Sequence, residues 1–305
     1  MTSPDGSSPG PKSSTVLTGI IIAVLSMFLF SLTHTSVRLM SDTMTAFQIV
    51  FWRMLLSMAM LMPWYAWKGL HLLKTQRPGM HALRAAVNCG GMLLWFFAIA
   101  VVPLGKAVAI HFVLPIFVMI LAVIVLRETV GIRRISAALI GFGGVLLVLR
   151  PGELTVGWPE IMILGSALCY AATVIFLKYM VKTETPLALT FYTNFFVLLF
   201  TIPPTIWLWA PPTVDDIVPI LIIGITGTFA PFMYTTALRM ADASIIAPTD
   251  FLRLPITAGL AFALFGEVPE IWVWVGGGII FLCTWYIAAR ESRLERERDA
   301  QNETE

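Results

Sequence analysis

Four ionisable side chains stand inside stretches that are otherwise apolar: Arg53 in Phe51-Trp52-Arg53, His111, and the pair Asp250 and Arg253. A charge at the centre of a bilayer costs at least about 2.5–3.5 kcal/mol on insertion scales, so each calls for a chemical reason. Arg53 lies about 13 Å into its stretch at about 1.5 Å per residue, too deep to reach the interface. Its planar fork of donors suits a carboxylate or phosphate; a clamp on backbone carbonyls or an acidic side chain is the structural alternative. Asp250 and Arg253, at i and i+3, share a helix face and can neutralise each other. Either the pair only fixes helix packing, or a bound molecule competes with it and Asp250 accepts a proton. His111 is the counterpart of Asp250 in an internal repeat set out below. It is the second coupling-proton candidate, because imidazole titrates near neutrality; a hydrogen-bonded packing role is the alternative. His34, near the outer end of its stretch, is expected to meet interfacial water.

Around these charges, Asn88-Cys89-Gly90-Gly91 is expected to break one helix near its middle, and Gly224-Ile225-Thr226-Gly227-Thr228-Phe229-Ala230-Pro231 to do the same in a matching place. Trp95, Tyr170, Asn194 and Tyr234 complete the candidate lining, with aromatic faces for a planar or cationic molecule. Cys89, Cys169 and Cys283 lie in apolar stretches and read as buried small hydrophobes, with no disulfide framework and no metal spacing. No His-Glu-x-x-His or Gly-x-Ser-x-Gly motif supports an intramembrane enzyme, and no phosphate-binding GxxxxGK[ST] loop supports direct use of ATP. No cofactor or metal is expected.

Composition says what must position these residues. Of 305 residues, 58% are apolar and 12% charged, against roughly 45–50% and about 25% in soluble domains. That charge deficit excludes an ordinary cytosolic domain, and a net charge of +2 offers no basic stripe for nucleic acid. Ten segments have the length and apolarity of membrane-spanning helices: 16–38, 45–66, 80–101, 105–126, 132–149, 157–180, 186–209, 216–238, 243–265 and 270–289. None alternates with the period of a barrel strand, so the fold class is an all-α polytopic membrane protein. Placing the N-terminus in the cytoplasm puts fifteen Lys and Arg residues inside and three outside, with both termini inside. Residues 1–15 read as a disordered cytoplasmic N-terminus, the first span as retained rather than cleaved, and 290–305 as a charged cytoplasmic tail. Lipid is the expected surroundings, and a homodimer is left open.

The halves 16–150 and 151–289 repeat each other. At an offset of 140, Ser26 faces Ser166, Phe30 faces Tyr170, Thr33 faces Thr173 and Arg38 faces Lys178; at 139, Trp95 faces Tyr234, His111 faces Asp250, Phe112 faces Phe251 and Glu128 faces Glu267. Five spans per half is an odd number, so the second half is inverted in the membrane, a construction that recurs in secondary transporters. Gly141, Gly143, Gly144 and Gly276 to Gly278 suit close helix packing. Glu128 and Glu267 have no physical role that the sequence supplies. Phe51-Trp52-Arg53, Pro115, Leu126-Arg127-Glu128, Gly141-Phe142-Gly143-Gly144-Val145-Leu146-Leu147, Asp250-Phe251-Leu252-Arg253-Leu254-Pro255 and Phe265-Gly266-Glu267 together resemble the EamA-type permeases of the drug/metabolite transporter superfamily, over residues 16–289. The resemblance implies a 5+5 inverted repeat that moves a small metabolite across a bacterial inner membrane by alternating access, coupled to protons or run as exchange. The midplane charges favour a small polar cargo, amino-acid-like or carboxylate-bearing. The alternative is a ring-bearing metabolite such as S-adenosylmethionine or riboflavin.

Overall fold

The structure, a computed structural model, describes residues 13–69, 73–127, 132–149, 157–181, 183–240, 246–283 and 285–286; Glu128 and the tail 290–305 lie outside them. Every described element is helical, as a chain surrounded by lipid must satisfy its backbone internally. The helices are α1 (Ser13–Met40), α2 (Ala46–Lys68), α3 (Pro78–Ile99), α4 (Leu104–His111), α5 (Leu114–Leu126), α6 (Ile132–Leu149), α7 (Trp158–Met180), α8 (Pro186–Trp207) and α9 (Val214–Met240). A 3-10 segment (Ala247–Leu252), α10 (Arg253–Phe265) and α11 (Ile271–Cys283) follow. Seven stretches are long and apolar enough to cross a membrane, with α4 and α5 counting as one, Leu104–Leu126. The other three expected spans coincide with shorter helices: α6, the 3-10 segment with α10, and α11. Exposed Leu17, Ile21, Leu25 and Phe28 form an outward apolar stripe on α1. Exposed Trp64 and Trp67 stand at one end of the bundle and Trp158 and Trp207 at the other, where an aromatic belt meets the membrane surfaces.

The repeat seen in the sequence is also written in the hydrogen bonds. Ser26 Oγ on α1 donates to the Ala230 carbonyl on α9 at 2.7 Å, and its counterpart Ser166 on α7 donates to the Gly91 carbonyl on α3, also at 2.7 Å. Gly91 and Ala230 are themselves equivalent positions of the two halves. The first span of each half therefore crosses the third span of the other, and the halves interlock. Thr45 and Thr185, another equivalent pair, cap α2 and α8 by accepting from Gln48 N and Ala188 N. Phe112 and Phe251 stack on each other with centroids 6.2 Å apart; equivalent residues that touch lie beside the axis relating the halves.

The expected breaks in spans three and eight are not there: α3 runs unbroken through Asn88-Cys89-Gly90-Gly91, and α9 through Gly224 to Pro231. A glycine costs a helix only about 1 kcal/mol relative to alanine, and these glycines are used for close approach instead. A Cβ on Gly91 would stand 2.9 Å from Cys169 Cβ, and one on Gly224 would stand 2.6 Å from Leu56. The chain interrupts its helices at spans four and nine, at Phe112-Val113 and along Ala247–Leu252. Each interruption precedes a proline, Pro115 or Pro255, that has no N–H to offer the carbonyl four residues back. Both spans then end on left-handed residues, Arg127 at φ 54° and Gly266 at φ 68°. A side chain in that region costs about 1 kcal/mol or more. Arg127→Gly should therefore raise the thermal unfolding midpoint in detergent and Gly266→Ala should lower it, by about 1 kcal/mol each. Shifts of the same sign would contradict this reading.

Candidate functional site

A cavity of about 960 Å³ lies between the halves. Each wall is one stripe of a helix at three- to four-residue spacing: Phe30, Thr33 and His34 on α1; Arg84, Asn88, Met92 and Trp95 on α3; Tyr170, Val174 and Lys178 on α7; Gly227, Pro231, Thr235 and Arg239 on α9. Arg53 and Ser57 on α2, His111 on α4, Thr193 and Asn194 on α8 and Arg253 on α10 close it. The cavity runs from the level of Arg53 and His111 towards the end that carries Lys178, Val181 and Pro186.

The opposite end is tied shut by polar contacts. Arg38 donates to the carbonyls of Ile99 at 2.8 Å and Val102 at 3.2 Å, and pairs with Glu267 at 3.3 Å. Glu267 also accepts from Leu104 N at 2.8 Å, capping the start of α4. Glu267 thus joins the end of α1, the start of α4 and the start of the last span, a role the sequence alone did not supply. Lys106 pairs with Glu160 at 2.8 Å, and Thr43 donates to Asp216 at 2.7 Å.

Among the described residues, no carboxylate holds Arg53. Its Nη1 donates to Met92 Sδ and its Nη2 to the Gly227 carbonyl, both at 3.2 Å. That carbonyl is free because Pro231, four residues on, has no N–H to give it. Nε of Arg53 is buried and has no acceptor among the described residues. Gly227 is required beside it, since a Cβ there would collide with Nε. Arg253 and Asp250 form the expected i, i+3 ion pair at 3.5 Å, and the Arg253 guanidinium lies 5.6 Å from the ring centres of both Phe30 and Phe112.

Aromatic rings meet beside these cations. His34 and His111 flank Trp95 with centroids 5.1 and 4.6 Å away, and Tyr170 stands 5.7 Å from His111. Asn194 Nδ2 donates to Ser57 Oγ at 3.0 Å, tying α8 to α2.

Of the residues picked from sequence, Arg53, Asn88, Trp95, His111, Tyr170, Asn194 and Arg253 line this one cavity, while Tyr234 and Asp250 do not. Tyr234 packs against Ala23, Ala237 and Ile246, and the Asp250 side chain is 39% exposed. Several lining residues were missed, His34, Arg84, Lys178 and Arg239 among them. His34 is buried rather than at interfacial water, because it shares the Phe30–Thr33 stripe and meets Trp95. Arg84, one of the fifteen basic residues that the sequence places on the cytoplasmic side, is buried and donates to the Leu189 carbonyl and to Thr193 Oγ1. Its four-residue spacing to Asn88 and on to Met92 was the available signal. Cys89 is a buried free thiol, and Cys169 and Cys283 are half-buried ones.

Comparison with known proteins gives this geometry a context. A protein of Rickettsia prowazekii (strain Madrid E) named S-adenosylmethionine uptake transporter is 29% identical over 92% of this chain and 95% of its own. One of Brucella anthropi named riboflavin transporter is 27% identical over 81% of this chain and 89% of its own. A solved crystal structure with 15% sequence identity superposes with a TM-score of 0.61 over 93% of this chain and 99% of that one, which shows a shared fold. The model of the EamA-like transporter family matches twice, over residues 17–150 and 157–289. With both halves matched, the chain belongs to the EamA-like transporter family and is a membrane transporter built from two EamA repeats.

Proposed function

We propose that this transporter carries a ring-bearing small metabolite through the cavity by alternating access, as a ten-span protein of the bacterial inner membrane with both termini in the cytoplasm. The observation that carries the proposal is the aromatic cluster of His34, Trp95, His111 and Tyr170 beside Arg53 and Arg253 at the deep end of the cavity. An aliphatic amino-acid-like cargo, favoured by the midplane charges alone, would leave those rings without a partner. The relatives' names support the ring-bearing reading, since adenine and isoalloxazine are both planar. Orientation rests on the excess of Lys and Arg on the side assigned to the cytoplasm. In that frame the cavity mouth faces inward and the Arg38–Glu267 contacts close the outside. The inverted halves supply the means to exchange these arrangements.

Thermal unfolding of the purified protein against a metabolite panel tests the reading. A ligand at about 100 times its Kd stabilises by about 2.7 kcal/mol. S-Adenosylmethionine, riboflavin or a compound sharing one of their rings should raise the midpoint, and Trp95→Leu should remove most of the rise while Gly90→Ala leaves it intact. Stabilisation by aliphatic amino acids, with none by any ring-bearing compound, would overturn the proposal.

A further inference from the structure

The cavity is lined by Arg53, Arg84, Arg239, Arg253 and Lys178, and no Asp or Glu is among its described lining residues. Arg253 has its counter-charge in Asp250. Arg53 has none: no carboxylate among the described residues forms an ion pair with it, and its acceptors are a thioether and one carbonyl. A thioether is a weak acceptor, and a buried charge without a counter-charge is costly unless something supplies one. The position is also asymmetric. Its counterpart in the other half is Thr193 on α8, so the cation belongs to one half alone and is no element of the shared scaffold. Gly227 clears the space beside Nε, and Pro231 frees the carbonyl that aims the fork, so two backbone devices of α9 hold a guanidinium that meets no carboxylate among the described residues.

We propose that the cargo is a ring-bearing anion, its acidic group taken by Arg53 and its ring laid against Trp95. This rests on the ring-bearing reading above and adds charge to it. The relatives' named cargos supply the ring but not the charge: riboflavin is uncharged, and S-adenosylmethionine is net positive at neutral pH because of its sulfonium. A carboxylate and a phosphate both satisfy a guanidinium fork, and both fit a cavity of about 960 Å³.

The experiment compares ligands that share a ring and differ in charge, by titration calorimetry on the detergent-purified full chain. One pair is riboflavin and riboflavin 5′-phosphate. The other is adenosine and adenosine 5′-phosphate, which keeps the ring and adds the acidic group. Inorganic phosphate is the ringless probe. In each pair the more negative member should bind about tenfold or more tightly, the margin expected for one charge-assisted contact. Arg53→Gln should reduce that margin to about twofold or less by weakening only the more negative members. Arg53→Lys, which keeps the charge, should retain part of it. Equal affinities within both pairs, or a margin unchanged in Arg53→Gln, would overturn the proposal, and the wild-type comparison stands even where a variant does not fold. Binding of inorganic phosphate alone, dependent on Arg53, would keep the anion site and discard the ring. Binding of riboflavin and adenosine as tight as that of their phosphorylated partners would keep the ring-bearing reading and discard the anion.

Discussion

Alanine in place of Arg53 abolishes transport, with a drop of about a hundredfold or more, while the protein still inserts and elutes as a single species. The expectation follows from how the side chain is held. Its acceptors, the Met92 thioether and the Gly227 carbonyl, are uncharged, and alanine removes the buried charge together with its contacts, so the fold loses little. What is lost is a buried donor fork facing the cavity, and about 2.7 kcal/mol of lost interaction with a moving cargo is a hundredfold in rate. Gly227→Ala reaches the same end without touching the charge, because its Cβ takes the place of Nε and drives the guanidinium out. Gly90→Ala, on the open side of α3 with nothing within 4 Å, is the matched control and transports normally. Radiolabelled uptake into proteoliposomes reads all three. Normal flux in both Arg53→Ala and Gly227→Ala would reduce Arg53 to a packing residue.

The largest effect on folding is expected where the fifth spans of the two halves cross. A Cβ on Gly276 would stand 2.5 Å from the Gly144 carbonyl oxygen, and one on Gly144 would stand 2.8 Å from the Gly276 carbonyl oxygen. Backbone cannot turn aside as a side chain can, so Gly276→Val separates α11 from α6 and costs about 3 kcal/mol or more. Gly278→Val, two residues along and facing open space, changes stability by less than about 0.5 kcal/mol. Size-exclusion profiles and unfolding midpoints of the two variants check this, and equal behaviour would contradict the crossing.

The glycine triplets were legible as packing surfaces, though not which member touches its partner, because that depends on how two helices rotate against each other. The repeat was legible in more detail: Ser26 and Ser166, paired by sequence, make equivalent hydrogen bonds. Helix interruption was misplaced because glycine was taken as the breaking residue, whereas Pro115 and Pro255, one residue away from matching at the offset of 139, mark the actual breaks. Glu267 had no readable role because its partners Arg38 and Leu104 come from distant parts of the chain. His34 was assigned by depth along its span and Arg84 by the side of the membrane its charge favours, and neither tells which way a helix face points. Asp250 and His111 occupy matching positions yet only His111 lines the cavity, since equivalent places in two halves need not have equivalent surroundings.

Passage of a ring-bearing solute through this cavity is read by counterflow across liposomes holding the purified chain. Saturable exchange of a labelled flavin or adenosine phosphate is the expected result, absent from empty liposomes and lost with Arg53→Ala. Saturable movement of aliphatic amino acids alone, or ring-compound flux equal in the wild type and Arg53→Ala, would contradict it.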